Sequence, residues 1–195
     1  MDIDITQKLL DRYETKYTKV GRYSVSMLYA IKAGWVKPED FVVTKKNDWV
    51  GILRMWSGVM NHNFIESLLE KDKCEQKVEY PYKDIVVVGK ADYLPDEENV
   101  WDFKTSDHTM DKAKPWHNHQ LKMYCTMFKR KFGHIYQPVI RDKSVVLKHL
   151  GTVQRNDEWF EKELESLYIF HLRVLELVKG QVKYDEVVKE VPELF

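Results

Sequence analysis

The sequence of 195 residues is poor in cysteine, glycine and proline. Its two cysteines, Cys74 and Cys125, are too few for a disulfide framework, and neither lies in a CxxC or Cys/His pattern that would bind zinc. The eight Gly and six Pro are scattered, so no flexible linker divides the chain, and no repeat of fixed period is visible. We therefore predict a single domain over residues 1–195, with its thiols reduced.

The sequence also lacks a net charge and a long apolar run. Its 31 Lys+Arg balance 31 Asp+Glu, which argues against binding by bulk basicity but leaves a local basic groove open. No stretch approaches the roughly 20 apolar residues that span a bilayer. The acidic start, Met1 to Asp4, lacks the basic-then-apolar pattern of a signal peptide. With 44% hydrophobic residues, the chain reads as a packed, cytoplasmic or otherwise intracellular protein without a membrane partner.

Apolar residues spaced three or four apart predict four helices. They are expected over about 24–31, 48–71, 115–131 and 156–180. Gly34, Gly133 and Gly180 are predicted to lie at or just past helix ends. Asn156 or Asp157 can cap the last helix with its side chain.

Alternating or continuous β-branched residues predict strands in the middle of the chain. They are expected over about 77–80, 85–88, 100–105, 134–141 and 144–153. The first three would form a meander. The element order predicts an α/β fold with a mixed central sheet flanked by helices. We divide it into a helical part, a sheet-containing core and a C-terminal helix, over 1–73, 74–153 and 156–180.

Two acids and a lysine stand out in the predicted strands. Asp102 and Lys104 are two residues apart, so their side chains share one face of a strand while Phe103 points away. Asp92, on the preceding strand, can reach the same spot. The two carboxylates, with the backbone carbonyl of Phe103, form an oxygen-rich site suited to Mg²⁺ or Mn²⁺, beside which a lysine can assist water or phosphate. The alternative is a cross-strand ion pair on a solvated sheet, since Asp-x-Lys is a common tripeptide.

Two helical stripes accompany these residues. Gly58, His62 and Glu66 are spaced four apart, which places them on one side of a helix, and Gln120 and Tyr124 have the same spacing. Gly58 would allow a close backbone approach, and the imidazole of His62 can ligate a metal. A Gln amide and a Tyr hydroxyl can hold a lysine or a phosphate. Taken singly, such residues are more often surface or core residues, so only their combination is informative.

In chain order, these signals resemble the PD-(D/E)XK nuclease superfamily. The resemblance is to its RecB-like exonuclease branch, which includes the CRISPR-associated RecB-like nucleases and the mitochondrial genome maintenance exonuclease. It spans about residues 24–124 and rests on Ser24-Val25-Ser26-Met27-Leu28, Gly58-x-x-x-His62-x-x-x-Glu66, Gly89-Lys90-Ala91-Asp92, Asp102-Phe103-Lys104-Thr105-Ser106 and Gln120-Leu121-Lys122-Met123-Tyr124. The resemblance implies a restriction-endonuclease-like core, with catalysis in 74–153.

The resemblance implies a role for each matching residue. The metal ligands would be His62, Asp92, Asp102 and the Phe103 carbonyl. Catalysis would involve Lys104, Asp92 and Asp102, with Gln120 and Tyr124 supporting the lysine and the substrate backbone. Glu66 would hold a metal-bound water or support the helix, Gly58 would support the site, and Thr105 and Ser106 would contact phosphate. The iron–sulfur members of the branch carry four cysteines, so the two here, neither in such a place, predict that no iron–sulfur cluster is bound.

Basic and aromatic residues near the motifs point to a nucleic-acid partner. Lys122 belongs to a locally basic stretch that can contact phosphates. Trp116 and Tyr93 are the best candidates for stacking on an unpaired base. The alternative for Lys122 is a solvated helix face, and the alternative for Trp116 and Tyr93 is a place in the packed core.

The preferred hypothesis is a hydrolase, a metal-dependent deoxyribonuclease acting as an exonuclease on DNA ends or single strands. A single-strand or structure-specific endonuclease is the first alternative. The second is a non-cleaving DNA-binding subunit of a recombination or repair complex; the presence of Asp92, Asp102 and Lys104 together argues against it. A homo-oligomer or a recombination-protein partner is compatible with each reading.

Overall fold

The computed structural model describes residues 20–41, 49–106, 108–141 and 144–185. Within them the chain forms six strands and four helices, with short 3₁₀ turns at Pro38–Phe41 and Lys71–Lys73. In order they are β1 (Arg22–Ser24), α1 (Val25–Lys32), α2 (Trp49–Glu66), β2 (Cys74–Tyr82), β3 (Ile85–Tyr93), β4 (Asn99–Phe103), α3 (Pro115–Met127), β5 (Phe132–Arg141), β6 (Ser144–Gln154) and α4 (Asp157–Asp185).

The strands form one mixed sheet. β3 pairs with β2 along its length in an antiparallel ladder, and β1 runs parallel to its residues 86–88. β4 lies parallel to β5 and meets β3 at Tyr93 and Trp101, while β5 and β6 form an antiparallel hairpin. This is the predicted mixed sheet flanked by helices. The meeting point of β3 and β4 sets Asp92 and Asp102, the neighbours of the two paired residues, close together.

Strand β1 was not predicted. Its three residues directly precede α1, and they pair with Val86–Val88 of the buried strand β3. Nothing local distinguishes so short a strand from the start of a helix, because its extended conformation is stabilised by a partner about sixty residues away. Ser24 then ends the strand and occupies the N-cap position of α1.

Several predicted helix ends were wrong. α2 ends at Glu66 rather than at 71, and α3 ends at Met127 rather than at 131. Lys129 has a positive φ of 56°. This left-handed residue ends α3 as a glycine would, and the chain then enters β5. Gly133 therefore lies inside β5, where an added Cβ would stand 2.5 Å from Leu121 Cγ.

The last helix was predicted correctly at its start and wrongly at its end. The side-chain oxygen of Asn156 accepts a hydrogen bond from the Trp159 N–H at 2.8 Å, which is the expected N-cap. α4 continues past Gly180 to Asp185. A helical glycine costs about 1 kcal/mol relative to alanine, and that cost alone does not end a long helix.

Two apolar clusters fix the helices on the sheet. The larger joins α1, α3 and α4 to the strands; its fully buried members include Tyr23, Val87, Leu121, Phe160 and Leu164. The smaller holds the end of α2 against the sheet and consists of Ile65, Cys74, Tyr93 and Phe103. The second cluster decides where the polar side of α2 lies, and hence where His62 and Glu66 stand.

Both cysteines are free and buried. None of the helices in the described ranges combines the length and the apolar character needed to cross a bilayer.

Candidate active site

Asp92 and Asp102 come from neighbouring strands and are almost fully buried, with 8% and 1% of their surface exposed. One carboxylate oxygen of Asp92, Oδ2, accepts a hydrogen bond from the Phe103 N–H at 2.7 Å. This bond crosses from β4 to β3 just beyond the point where the strands pair. It leaves Oδ1 of Asp92 facing away from β4, toward helix α2.

Lys104 follows the last residue of β4, and its backbone N–H donates to the Tyr136 carbonyl of β5 at 2.8 Å. Its side chain reaches Asp102, as the two-residue spacing predicts: Nζ lies 3.0 Å from Oδ1 and 2.8 Å from Oδ2. Nζ also donates to Oε1 of Gln120 at 3.1 Å. The amine is thus held between a strand carboxylate and a helix amide.

Gln120 and Tyr124 lie one turn apart on α3 and form the second half of this chain of bonds. Gln120 Nε2 donates to the Tyr124 hydroxyl at 3.1 Å, which orients the amide so that its oxygen faces Lys104. Burial raises the pKa of Tyr124, so the hydroxyl stays protonated. The stripe predicted from spacing therefore forms one connected network with Lys104.

Close packing between α3 and β3 holds Tyr124 in place. A Cβ added at Gly89 would lie 2.9 Å from Cε1 of the Tyr124 ring, closer than real Cβ atoms approach. Gly89 therefore allows α3 to approach the sheet. At Gly58, by contrast, an added Cβ would meet Thr105 Oγ1 at an ordinary 3.9 Å. The close approach expected at Gly58 is not required there.

His62, Glu66 and Asp92 form a group that could hold a cation. His62 and Glu66 lie one turn apart on α2, and His62 Nδ1 is 3.6 Å from Asp92 Oδ1. One ligand atom from each of the three residues lies within 4.8 Å of the others. The structure thus places Glu66, predicted to hold a metal-bound water or to support the helix, among the candidate ligands. Asp102 is not part of this group, and its carboxylate contacts Lys104.

The charges at the site lack full compensation. Within the described ranges, Glu66 Oε1 is buried without a hydrogen bond, and Asp102 Oδ2 is buried with the Lys104 amine 2.8 Å away as its ion-pair contact. Burial, with the charges of Glu75 and Asp92, raises the pKa of Glu66. Burial and Asp92 raise the pKa of Asp102 to about 6, although Lys104 opposes the shift. Acids in this state fit a divalent cation, which would supply the missing positive charge.

The pKa of His62 reflects the same carboxylates. Burial alone would lower it, but the contact with Asp92 and the charge of Asp102 outweigh burial and raise the pKa. An imidazole that ligates a metal must be neutral. Proton binding by His62 would therefore compete with the binding of a cation as the pH falls.

The remaining predicted residues differ in their exposure. Thr105 is half-buried near α2, and Ser106 is exposed, with its hydroxyl accepting from the His108 N–H at 3.3 Å. Tyr93 is buried, and its ring packs on Trp101 at 5.4 Å. That position is typical of a core residue and disfavours the predicted stacking role. Phe103 has a fully buried ring.

Two α3 residues predicted to bind DNA lie on different sides of the helix. Lys122 Nζ stands 4.3 Å from the centre of the Trp159 ring on α4. Trp116 is partly exposed at the start of α3. Trp116 precedes Gln120 by four residues, so it continues the Gln120–Tyr124 stripe outward.

Gln137 was missed by the sequence analysis. It is 2% exposed on β5, and its amide holds the segment after Ser106: Oε1 accepts from the Met110 N–H at 2.7 Å, and Nε2 donates to the His108 carbonyl at 2.8 Å. The only signal in the sequence is that Gln137 is polar although it occupies one of the alternate strand positions that face the core. Such a position does not reveal which loop the side chain will anchor.

No protein-family model matches the sequence, and comparison with curated proteins gives no significant match. Solved structures do match. An alkaline exonuclease (LHK-Exo) from Laribacter hongkongensis is similar with a TM-score of 0.57 and 11% identity, over 91% of this chain and 99% of that chain. The same exonuclease in complex with dAMP matches with a TM-score of 0.60 and 12% identity, over 89% and 99%.

A phage-related exonuclease from Haemophilus somnus 129PT matches with a TM-score of 0.52 and 11% identity, over 89% of this chain and 99% of that chain. At such low identities these likenesses establish the fold. The predicted fold class, a PD-(D/E)XK-like mixed sheet flanked by helices, is confirmed. The RecB-like branch and the likeness to CRISPR-associated nucleases stay predictions.

Proposed function

We propose that this chain is a divalent-metal-dependent nuclease that hydrolyses phosphodiester bonds of DNA, acting as an exonuclease on ends or single strands. The observation that carries the proposal is the position of Lys104. Its Nζ is fixed by Asp102 and Gln120, and it shares the site with the group formed by His62, Glu66 and Asp92. A lysine beside a cation-binding acid cluster can stabilise the charge that develops during phosphodiester hydrolysis.

The cation would be held by His62, Glu66 and Asp92, with Asp102 and the Phe103 carbonyl nearby. A bound Mg²⁺ or Mn²⁺ would polarise the phosphate and make a water molecule more acidic. Lys104 would hydrogen-bond the attacking water or a non-bridging phosphate oxygen as negative charge develops there. Gln120 and Tyr124 keep the amine in that position, since the amide oxygen accepts from Nζ and the amide nitrogen donates to the hydroxyl.

Two observations support exonuclease action over the alternatives. The structures that share the fold are described as exonucleases, and one of them holds dAMP, a mononucleotide. All residues that cleavage would need are present, which argues against a non-cleaving subunit. A role in DNA repair or recombination follows from the same proposal, since those processes consume DNA ends.

The test is cleavage of end-labelled linear duplex, covalently closed circular duplex, linear single-stranded DNA and RNA of the same sequence, with Mg²⁺ or Mn²⁺ and with EDTA. We expect mononucleotides or short products from linear DNA, and intact circles. Cut circles would indicate an endonuclease. Bound but intact DNA in every metal would support the non-cleaving alternative, and faster cleavage of RNA would contradict the choice of DNA.

Substitutions connect the activity to the site. Asp92→Asn keeps the volume and removes one charge, so cleavage should be lost; Asp96→Asn makes the same change in an exposed turn and should keep it. His62→Ala should weaken Mn²⁺ binding in a calorimetric titration more than it weakens DNA binding. An unchanged affinity for Mn²⁺ would remove His62 from the ligand set.

A further inference from the structure

A pair of exposed tryptophans lies at the outer end of the α3 stripe. Trp35 is 62% exposed and Trp116 is 37% exposed, and their ring centres are 5.9 Å apart at 71°. Tyr29 packs against both, at 5.5 Å from Trp35 and 6.3 Å from Trp116. Burial of tryptophan rings stabilises a folded protein strongly. Two adjacent tryptophans exposed to solvent therefore indicate an interaction surface.

Trp35 is held in place by the end of helix α1. Gly34 adopts a φ of 72°, its N–H donates to the Ile31 carbonyl at 3.0 Å, and the Trp35 N–H donates to the Ala30 carbonyl at 2.8 Å. This pattern is a Schellman motif, which turns the chain back over the helix end. The backbone of Trp35 is therefore preset, and its ring is presented beside Trp116.

The tryptophan pair is continuous with the candidate active site. Trp116 and Gln120 are four residues apart on α3, so their Cβ atoms lie about 5–6 Å from each other on one side of the helix. Gln120 contacts Lys104 directly. The ring centre of His117 lies 5.5 Å from that of Trp116, and burial together with the charge of Lys104 lowers the pKa of His117. The side of α3 that contacts Lys104 through Gln120 thus leads one turn outward to Trp116, which packs against Trp35.

The charge beside the pair suits a phosphate backbone. Lys114 Nζ stands 5.0 Å from the centre of the Trp116 ring, and the side chain is exposed. Aromatic rings combined with lysines are how proteins hold unpaired nucleotides without regard to sequence: the rings stack on bases, and the lysines contact phosphates. Bases inside a duplex are stacked on each other and cannot use such a surface.

We propose that Trp35 and Trp116, with Lys114, form a stacking platform for unpaired nucleotides, which guides a single strand along α3 to Lys104. This inference rests on the proposed nuclease function. It adds a substrate preference, because the platform favours single strands and frayed ends over intact duplex. It also adds a path, with the nucleotides next to the cleaved bond passing over Trp116 and the more distant ones over Trp35.

The test measures the affinity of the full chain for a fluorescent single-stranded oligothymidylate and for a duplex of equal length, by anisotropy in EDTA. Trp35→Ala and Trp116→Ala should each weaken single-strand binding by about 5- to 150-fold, the range for the loss of one stacked base. Trp35→Phe and Trp116→Phe should retain most of the single-strand affinity that the alanine variants lose. Leu172→Ala, which shortens an exposed apolar side chain on α4, is the control and should bind normally.

Two outcomes would overturn the platform. One is single-strand affinity in both alanine variants equal to that of Leu172→Ala. The other is an equal loss for single strand and duplex, which would indicate a general change of the surface. Thermal unfolding of each variant identifies any that has not folded. If neither alanine variant folds, the wild-type chain carries the test, and equal affinity for single strand and duplex would overturn the platform.

Hydrolysis of bis(4-nitrophenyl) phosphate by the wild-type chain with Mn²⁺ separates this proposal from the one on which it rests. The small diester has no strand to stack. If the wild type binds oligothymidylate through the tryptophans but cleaves neither the diester nor DNA, the nuclease proposal fails and the platform stands. If the wild type cleaves DNA while the alanine variants bind single strands normally, the platform fails and the nuclease proposal stands.

Discussion

Asp102→Asn should stabilise the protein in the absence of divalent cations while abolishing cleavage. Burial and the charge of Asp92 raise the pKa of Asp102 from 3.8 to about 6 despite Lys104. Each tenfold change in a dissociation constant corresponds to ~1.4 kcal/mol, so the ionised carboxylate costs the folded state about 3 kcal/mol at neutral pH. The asparagine amide is also buried and polar, so we expect the free energy of unfolding to rise by about 1–3 kcal/mol.

The destabilisation caused by ionised Asp102 should depend on pH. Because the pKa of Asp102 is raised on folding, the cost is fully present above about pH 6 and disappears as the pH falls toward 3.8. Urea unfolding in EDTA at several pH values between 4.5 and 8 should therefore show a difference between variant and wild type that shrinks on acidification. Added Mg²⁺ or Mn²⁺ should stabilise the wild type more than the variant.

Asp96→Asn is the control with the opposite sign. Bonds from the side chain of Asn99 and from backbone N–H groups lower the pKa of Asp96. Its stabilising contribution is therefore fully present above the unfolded pKa of 3.8 and is lost as the pH falls through the lower pKa of the folded state.

A variant Asp102→Asn that is less stable than the wild type at pH 8 in EDTA would refute the reasoning, because it would show that Lys104 already compensates the buried charge.

Five further substitutions test the network around the lysine. Lys104→Ala should lower single-turnover cleavage by a factor on the order of 10² or more and leave DNA affinity intact, whereas full activity in Lys104→Arg would exclude a general-base role. Gly89→Ala should lower the free energy of unfolding by about 1–3 kcal/mol, because its Cβ would stand 2.9 Å from the Tyr124 ring; an unchanged melting temperature would contradict the packing. Gln120→Ala and Tyr124→Phe should each slow turnover, with a less-than-additive effect in the double variant, and normal rates in both would remove them from the site.

The motif residues illustrate how far spacing carries a prediction. Asp102 and Lys104 had to share a face once their segment was a strand, and Gln120 and Tyr124 had to share a side once theirs was a helix. Both relations hold in the structure, with contacts of 2.8–3.1 Å within and between the two pairs. Local periodicity was sufficient because Gln120 and Tyr124 lie within α3, and Lys104 directly follows β4, which ends at Phe103 rather than at the predicted 105.

Relations between elements could not be read from spacing. Glu66 joins His62 and Asp92 because the small cluster around Ile65 fixes the rotation of α2 on the sheet. Gly89, rather than Gly58, is the glycine that a close approach requires, since the Tyr124 ring packs on it from α3. A sequence shows which glycines exist but not which partner each one faces.

The sequence alone therefore determined the element types, the mixed sheet and the set of chemical groups that the site contains, because these follow from local periodicity and from motif order. Only the tertiary structure decided which groups of different elements meet: Lys104 with Gln120, Glu66 with Asp92, and Trp116 with Trp35. The physical reason is that side-chain burial and the pairing of distant strands are properties of the whole packed chain. Even β1, three residues long, exists only because β3 lies beside it.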